Sequence, residues 1–271
     1  PHEREYLAAD IIIVAQALAQ QFSHGMIKLT VGSDALSEYV RTIGGKKMFT
    51  KLFPVLPQTM DDDIRAAYRG GWTYRDPRGA GKVHYRKGRS YDVNSLYPFV
   101  MRNKLLPYGE PIFTDDVPVE TEEFPLFVTS ITFTAKLKRG HLPCIQVKKN
   151  MLFSSTEYQT SIDEPTTISC TNIDLDLWKK HYHLNILSYN GSWLFRGSYG
   201  LFNEYIDKWM EVKKHSVGGK REIAKLELNS LYGKFATNPI VTSKRPILVD
   251  GVVKLQQLLA RLKWRAHRVQ R

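Results

Sequence analysis

The sequence predicts an α+β fold in which helical segments flank a β-rich middle. Apolar residues recur at helical spacing near the N-terminus and again after residue 201, whereas residues 104–200 alternate in short runs broken by prolines. No internal repeat or low-complexity tract suggests a solenoid instead. From Glu3 to Phe22, Leu7, Ile11, Val14, Leu18 and Phe22 fall on one helical stripe. A turn-rich strip at Val31-Gly-Ser-Asp34 follows, then a mixed segment ending in Asp61, Asp62 and Asp63. Residues 68–91 are basic and hold two glycine clusters, Tyr68-Arg69-Gly70-Gly71 and Arg78-Gly79-Ala80-Gly81. Ser90 to Pro98 reads as a short strand running through Asp92 into a helix with Pro98 in its early turns. Prolines at 107, 111, 118, 125, 143 and 165 then separate strand-like stretches such as Leu126–Phe133, the pattern of a β-rich insertion. Leu201, Phe202, Tyr205, Ile206, Trp209 and Met210 form the apolar stripe of a helix over 201–213. Ser216-Val-Gly-Gly219 breaks it, and a second helix from Lys220 to Phe235 completes a helical hairpin.

Composition narrows the function classes. The 271 residues carry 39 Lys or Arg against 27 Asp or Glu, a net charge of +12 that favours an anionic partner, nucleic acid first. The last eighteen residues, Lys254–Arg271, hold six Lys or Arg and no acid, so half of that surplus lies outside the rest of the chain. A hydrophobic fraction of 42% supports a packed core and argues against global disorder. No apolar run is long enough for a membrane span, and no signal-peptide pattern follows Pro1. Two cysteines, Cys144 and Cys170, make neither a disulfide framework nor a four-ligand zinc site, which points to a reducing cytoplasm. P-loop and Gly-x-Ser-x-Gly strings are absent.

Four places could carry chemistry, and each has a plainer reading. Arg221, Lys225, Asn229 and Tyr232 share an arc of roughly 80° on the second hairpin helix. Two cations, an amide and a phenol in a row suit a triphosphate with its sugar and base, with Lys213 closing from the first helix; a solvated basic face has the same pattern. Asp92 at a strand end could hold Mg²⁺ against phosphates or simply cap the helix that follows. Tyr68, Arg69, Gly70 and Gly71 could track a single strand by stacking and close backbone approach, or form a turn. Tyr6 and Asp10, one turn apart on the first helix, could orient a metal and a water or form its polar edge.

Taken in order, these stretches resemble the protein-primed family B DNA polymerases, the viral and organellar type found in small linear-genome bacteriophages. Asp92-Val-Asn-Ser-Leu-Tyr-Pro98 resembles the family's first polymerase motif, and Lys225-Leu-Glu-Leu-Asn-Ser-Leu-Tyr-Gly233 its second. Tyr68-Arg69-Gly70-Gly71 looks like the linker between exonuclease and polymerase halves, and Tyr6 with Asp10 like a third exonuclease motif. Leu106-Pro-Tyr-Gly-Glu-Pro111 is a further match.

The resemblance implies a domain plan: an exonuclease remnant over 1–31, the first part of the palm over 32–103, a terminal-protein-region insertion over 104–200, helical-hairpin fingers over 201–238, and a divergent basic tail over 239–271. It implies that Asp92 is catalytic and binds Mg²⁺ together with the Val93 carbonyl. Ser95, Leu96, Tyr97, Lys213, Arg221, Lys225, Asn229 and Tyr232 would contact the incoming dNTP, Tyr97 excluding a 2′-hydroxyl. Tyr68, Arg69, Gly70 and Gly71, with Lys148, Lys149, Ser230 and Gly233, would contact DNA. The implied partners are template and primer DNA, dNTPs and a terminal priming protein. The implied setting is a monomer in the cytoplasm of a bacterial host.

The sequence also departs from the family. No Tyr-x-Asp-Thr-Asp string supplies the second metal-binding aspartate, and only five residues precede Tyr6 where two exonuclease motifs should stand. The likeness fades after Asn238-Pro239. The tail, including Leu258–Arg265, is either an amphipathic helix or read-through after a frame change. These departures predict a fragment, with its two-metal site incomplete and inactive alone. The competing expectations are a non-catalytic module that binds DNA or terminal protein, and a decayed prophage remnant.

Overall fold

The computed structural model describes residues 2–237 except 24, 84, 86 and 148–157. Lys148, Lys149 and the tail from 238 onward lie outside the described residues.

Helix α1 (His2–Ser23) forms as its spacing predicts, yet Leu7, Ile11, Val14, Leu18 and Phe22 are each at least 44% exposed. Helix α2 (Val31–Thr42) replaces the turn-rich strip expected at 31–34. The Thr30 side chain accepts from the Ser33 N–H, and Asp34 sits in the first turn; residues that favour turns also cap helices. Short helices α3 (Lys46–Leu52) and α4 (Gln58–Ala66) follow, the latter containing the acidic run, with Arg65 paired to Asp61 one turn back at 2.8 Å.

One correction falls at the first motif. Asp92 does not lie on a strand: no strand is present among the described residues of 32–103, and the chain runs irregularly up to α5 (Leu96–Asn103). A strand needs a neighbour for its amides and carbonyls. The strands described here pair only with one another, and none is offered to residues 90–93. Pro98 does occupy the first turn of α5, as expected.

The antiparallel sheet is built entirely from the proline-punctuated middle. Strands β1 (Leu106–Thr114), β2 (Leu126–Leu137), β3 (Ser161–Thr171) and β4 (Tyr182–Ser198) stand in the order β1-β4-β2-β3. Central β2 alternates strictly, burying Phe127, Thr129, Ile131, Phe133 and Ala135. Helix α6 (Asn172–His181), which the sequence reading does not anticipate, covers that face with Leu175 and Trp178. A reciprocal capping box between Thr171 and Asp174 starts it. Deeper in, the Ser192 hydroxyl donates to Thr129 Oγ1 at 2.8 Å, satisfying two buried polar groups.

A second core forms where α2 meets the hairpin of α7 (Asn203–His215) and α8 (Gly218–Phe235). Tyr39 is fully buried, its ring stacked on Phe202 at 4.8 Å and edged by Phe49, Tyr205 and Phe235. Each such aromatic contributes about 1.5–3 kcal/mol by burial, so this cluster is what holds the hairpin in place. Arg102 of α5 grips Asp207 of α7 at 2.5 and 3.0 Å. The pair is exposed and adds little stability, but it sets α5 against the hairpin.

Candidate functional site

The row predicted on α8 exists. Arg221, Lys225 and Asn229 are exposed, and Tyr232 is half-buried. Glu222 lies 3.7 Å from Arg221 and 3.8 Å from Lys225, at the outer limit of ion pairing, so both cations remain available to a stronger anion.

Two segments distant in sequence meet this row at Tyr232, and Lys213 of α7 is tied to one of them. Tyr97, in the first turn of α5, stacks on Tyr232 with ring centres 4.2 Å apart and planes 19° from parallel. Tyr68, from the linker motif, shares a hydrogen bond with Tyr232. Burial first, then that hydrogen bond and the neighbouring phenols, push the Tyr232 hydroxyl up to about 12, so it stays protonated as a donor. At the end of α7, Lys213 donates to Ser95 Oγ at 2.6 Å and to Asn94 Oδ1 at 3.3 Å. Ser95 has φ +54°, the one non-glycine residue with positive φ among the described residues. That left-handed conformation costs roughly 1–2 kcal/mol, and such strain clusters at sites where geometry matters. Asn94 is the residue sequence reasoning misses. Its signal is the Asn-Ser pair, which favours a tight turn, immediately before a helix.

Other expected residues sit apart or have local work. Asp92 and Val93 are exposed beside Asn94, and Leu96 opens α5 half exposed. Arg69 donates to the carbonyls of Ala66 at 2.7 Å and Ser169 at 2.8 Å, fastening the linker to β3. Burial lowers its guanidinium below the ordinary value. Gly70 and Gly71 have open space where a side chain would stand, leaving their backbone approachable. Ser230 is half-buried and Gly233 exposed on the last turns of α8. Tyr6 and Asp10 are exposed on α1.

A pair of Mg²⁺ ions requires several oxygen ligands, with carboxylates bridging or shared. Asp92 and the Val93 carbonyl supply one carboxylate, and among the described residues no group of three or more His, Cys, Asp or Glu is arranged to hold an ion. These residues therefore do not fit a two-metal centre.

The arrangement has counterparts in known proteins. Residues 1–261 match the family described as DNA polymerase type B, organellar and viral, so the likeness runs past Asn238-Pro239, where the sequence reading ends it. The DNA polymerase of Bacillus phage Nf is 45% identical over 251 residues, and that of Bacillus phage phi29 43% over 252; the chain spans 44% of each. The DNA polymerase of Streptococcus phage Cp-1 is 32% identical over 266 residues, 94% of this chain and 47% of that one. Among solved structures, phi29 DNA polymerase with primer-template DNA and incoming nucleotide superposes with a TM-score of 0.79 at 40% identity. It covers 88% of this chain and 42% of its own. An orthorhombic crystal form of the same polymerase gives 0.81 at 41% identity, covering 92% and 44%. The chain thus spans less than half the length of the relatives it matches.

Proposed function

The chain belongs to the type B DNA polymerases of organellar and viral type, and on that premise we propose that it carries the nucleotide-binding part of a protein-primed replicative polymerase. The observation that supports this most is the convergence of Lys213, Ser95, Tyr97, Tyr232 and Tyr68 beside the α8 row. A deoxynucleoside triphosphate laid along α8 meets Arg221, Lys225 and Lys213 at its phosphates, Asn229 midway, and the Tyr97–Tyr232 pair at its sugar and base. Tyr97 under the sugar leaves no room for a 2′-hydroxyl, which separates dNTP from rNTP by a steric clash. Tyr68 with the open backbone of Gly70 and Gly71 takes the template strand, while Ser230 and Gly233 face the nascent pair. In this reading Lys148 and Lys149 contact DNA, the sheet subdomain receives the priming protein, and the chain acts as a monomer in the host cytoplasm.

Polymerases of this family generally use Mg²⁺. Asp92 with one carbonyl is too little anionic ligation to retain two ions against solvent, so the chain binds nucleotide and DNA but does not extend a primer alone. Primer extension by the purified chain with Mg²⁺ and dNTPs stays at background in this reading; turnover above background would overturn it. The lone carboxylate also favours a second reading, a non-catalytic module for DNA or terminal protein. That module binds DNA in a salt-dependent way that survives Asp92→Ala but gains nothing from dNTP. Tighter DNA binding in the presence of dNTP selects the first reading.

A further inference from the structure

Behind the row of nucleotide-facing residues, α8 carries a buried acid at its interface with α7. Glu227 is 1% exposed and lies about 200° around the helix from both Lys225 and Asn229, which are exposed. A polar link between the two hairpin helices runs through it. The Tyr205 hydroxyl of α7 meets the Glu227 carbonyl at 3.2 Å and Oε2 at 3.0 Å, while Oε1 has no hydrogen-bond partner.

The charged groups around this acid are ill matched to a carboxylate. Asp34 and Glu38 of α2 carry the same sign, and Lys208 of α7 is already paired with Glu38. Arg41 of α2, Lys220 of α8 and Lys28 ahead of α2 border the same region but are exposed, where water and salt screen them. Burial first raises the Glu227 carboxyl to about 7; Glu38 and Asp34 add to the rise, and Tyr205 and Lys208 oppose it. Burial also pushes the Tyr205 hydroxyl above its ordinary value, so this donor keeps its proton throughout. Protonated, the Glu227 carboxyl fits the packed interface. Ionised, it leaves a charge there with one side-chain donor, and water must enter to solvate it.

We propose that Glu227 is a positioning residue for the nucleotide row, holding α8 against α7 while it carries its proton and loosening the hairpin when the proton leaves. The proposal rests on the reading of Lys213, Lys225 and Asn229 as nucleotide contacts. Lys213 stands at the end of α7 and the other two on α8, so all three meet one triphosphate only while the helices keep their packing. Nucleotide binding then follows the neutral fraction of Glu227 and falls as the pH rises through about 7.

The first test is calorimetric titration of the full chain with dATP at pH 6 and pH 8. If only the neutral form binds, the affinity is about tenfold weaker at pH 8. The nucleotide's own titration is common to all the proteins compared. Glu227→Gln keeps an acceptor for Tyr205 and cannot ionise, so its affinity is expected to lose this tenfold dependence. Glu227→Met leaves Tyr205 the main-chain carbonyl, is expected to behave in the same way, and decides the matter if Glu227→Gln does not fold. The second test needs no nucleotide. Hydrogen exchange, corrected for the intrinsic effect of pH, is expected to quicken about tenfold in α8 between pH 6 and pH 8 in the wild type, with β2 unchanged and the variants flat. The same pH dependence in wild type and variant overturns the proposal, as does quickening shared equally by β2, which marks a loss of global stability alone. Absence of dATP binding in every protein at both pH values refutes the nucleotide reading instead, and exchange in α8 then decides whether Glu227 holds the hairpin.

Discussion

Glu227, buried on α8 with its Oε2 accepting from the Tyr205 hydroxyl, gives the chain a stability that falls with rising pH. A carboxyl held at about 7 in the folded chain, against an ordinary value of 4.5, keeps its proton when the unfolded chain has lost it. Below about pH 4.5 both states are protonated and the group contributes nothing. Between there and pH 7 the unfolded state ionises first and stability declines; above pH 7 the loss is complete. The gap is worth roughly 3 kcal/mol, a large part of a typical domain's stability. Glu227→Gln retains the Tyr205 contact and cannot ionise, so its stability should match the wild type at pH 4.5 and exceed it by roughly 3 kcal/mol at pH 8. Urea unfolding of both proteins at pH 5, 6, 7 and 8 measures the divergence directly. A difference that stays flat across this range, or a variant less stable at pH 8, would refute the assignment of Glu227 as a buried acid ionising against its surroundings.

Other consequences are equally open to measurement. Thr129→Val removes the acceptor of the buried Ser192 hydroxyl and should cost about 1–3 kcal/mol in urea unfolding, although the change is nearly isosteric. Gly191→Ala should destabilise by more than about 1 kcal/mol, because φ is +95° and the new methyl would stand 2.7 Å from the Phe113 ring. Lys213→Met should weaken binding of a deoxynucleoside triphosphate about tenfold, read by fluorescence titration, while leaving the unfolding midpoint in place. Removing the ring in Tyr97→Ala breaks the stack on Tyr232 and should lower the Tyr232 hydroxyl from about 12 toward its ordinary value, visible in ultraviolet titration.

Much of this molecule is written in local pattern. The stripe of Leu201 to Met210 and the strict alternation of β2 are properties of a few consecutive residues, and both elements form where that pattern lies. The strand expected at Asp92 does not form, because a strand is a property of two segments, and among the described residues no segment pairs with it. Helix α2 was hidden by Gly32, Ser33 and Asp34, whose chemistry serves turns and helix starts alike. The α8 row was legible from its spacing, but the bonds from Lys213 of α7 to Asn94 and Ser95 join residues 119 and 118 positions apart, which no local window can see. Glu227 is a lone carboxylate among the buried Ala224, Leu228 and Leu231, a break in an otherwise apolar face that the sequence reading does not single out.

The placement of prolines in the sheet has a consequence for how this chain meets other proteins. Within the described strands, proline occurs at 107 and 111 in β1 and at 165 in β3, the two outer strands, and pairing loses register beside Pro111 and Pro165. Neither margin presents an unbroken ladder of donors and acceptors. The prolines work against recruitment of an added strand along the full length of either edge, whether from a neighbouring molecule or from a misfolded copy during synthesis. A protein that docks on this subdomain away from such an edge reads its side chains, and its specificity can then change by substitution without disturbing the main chain.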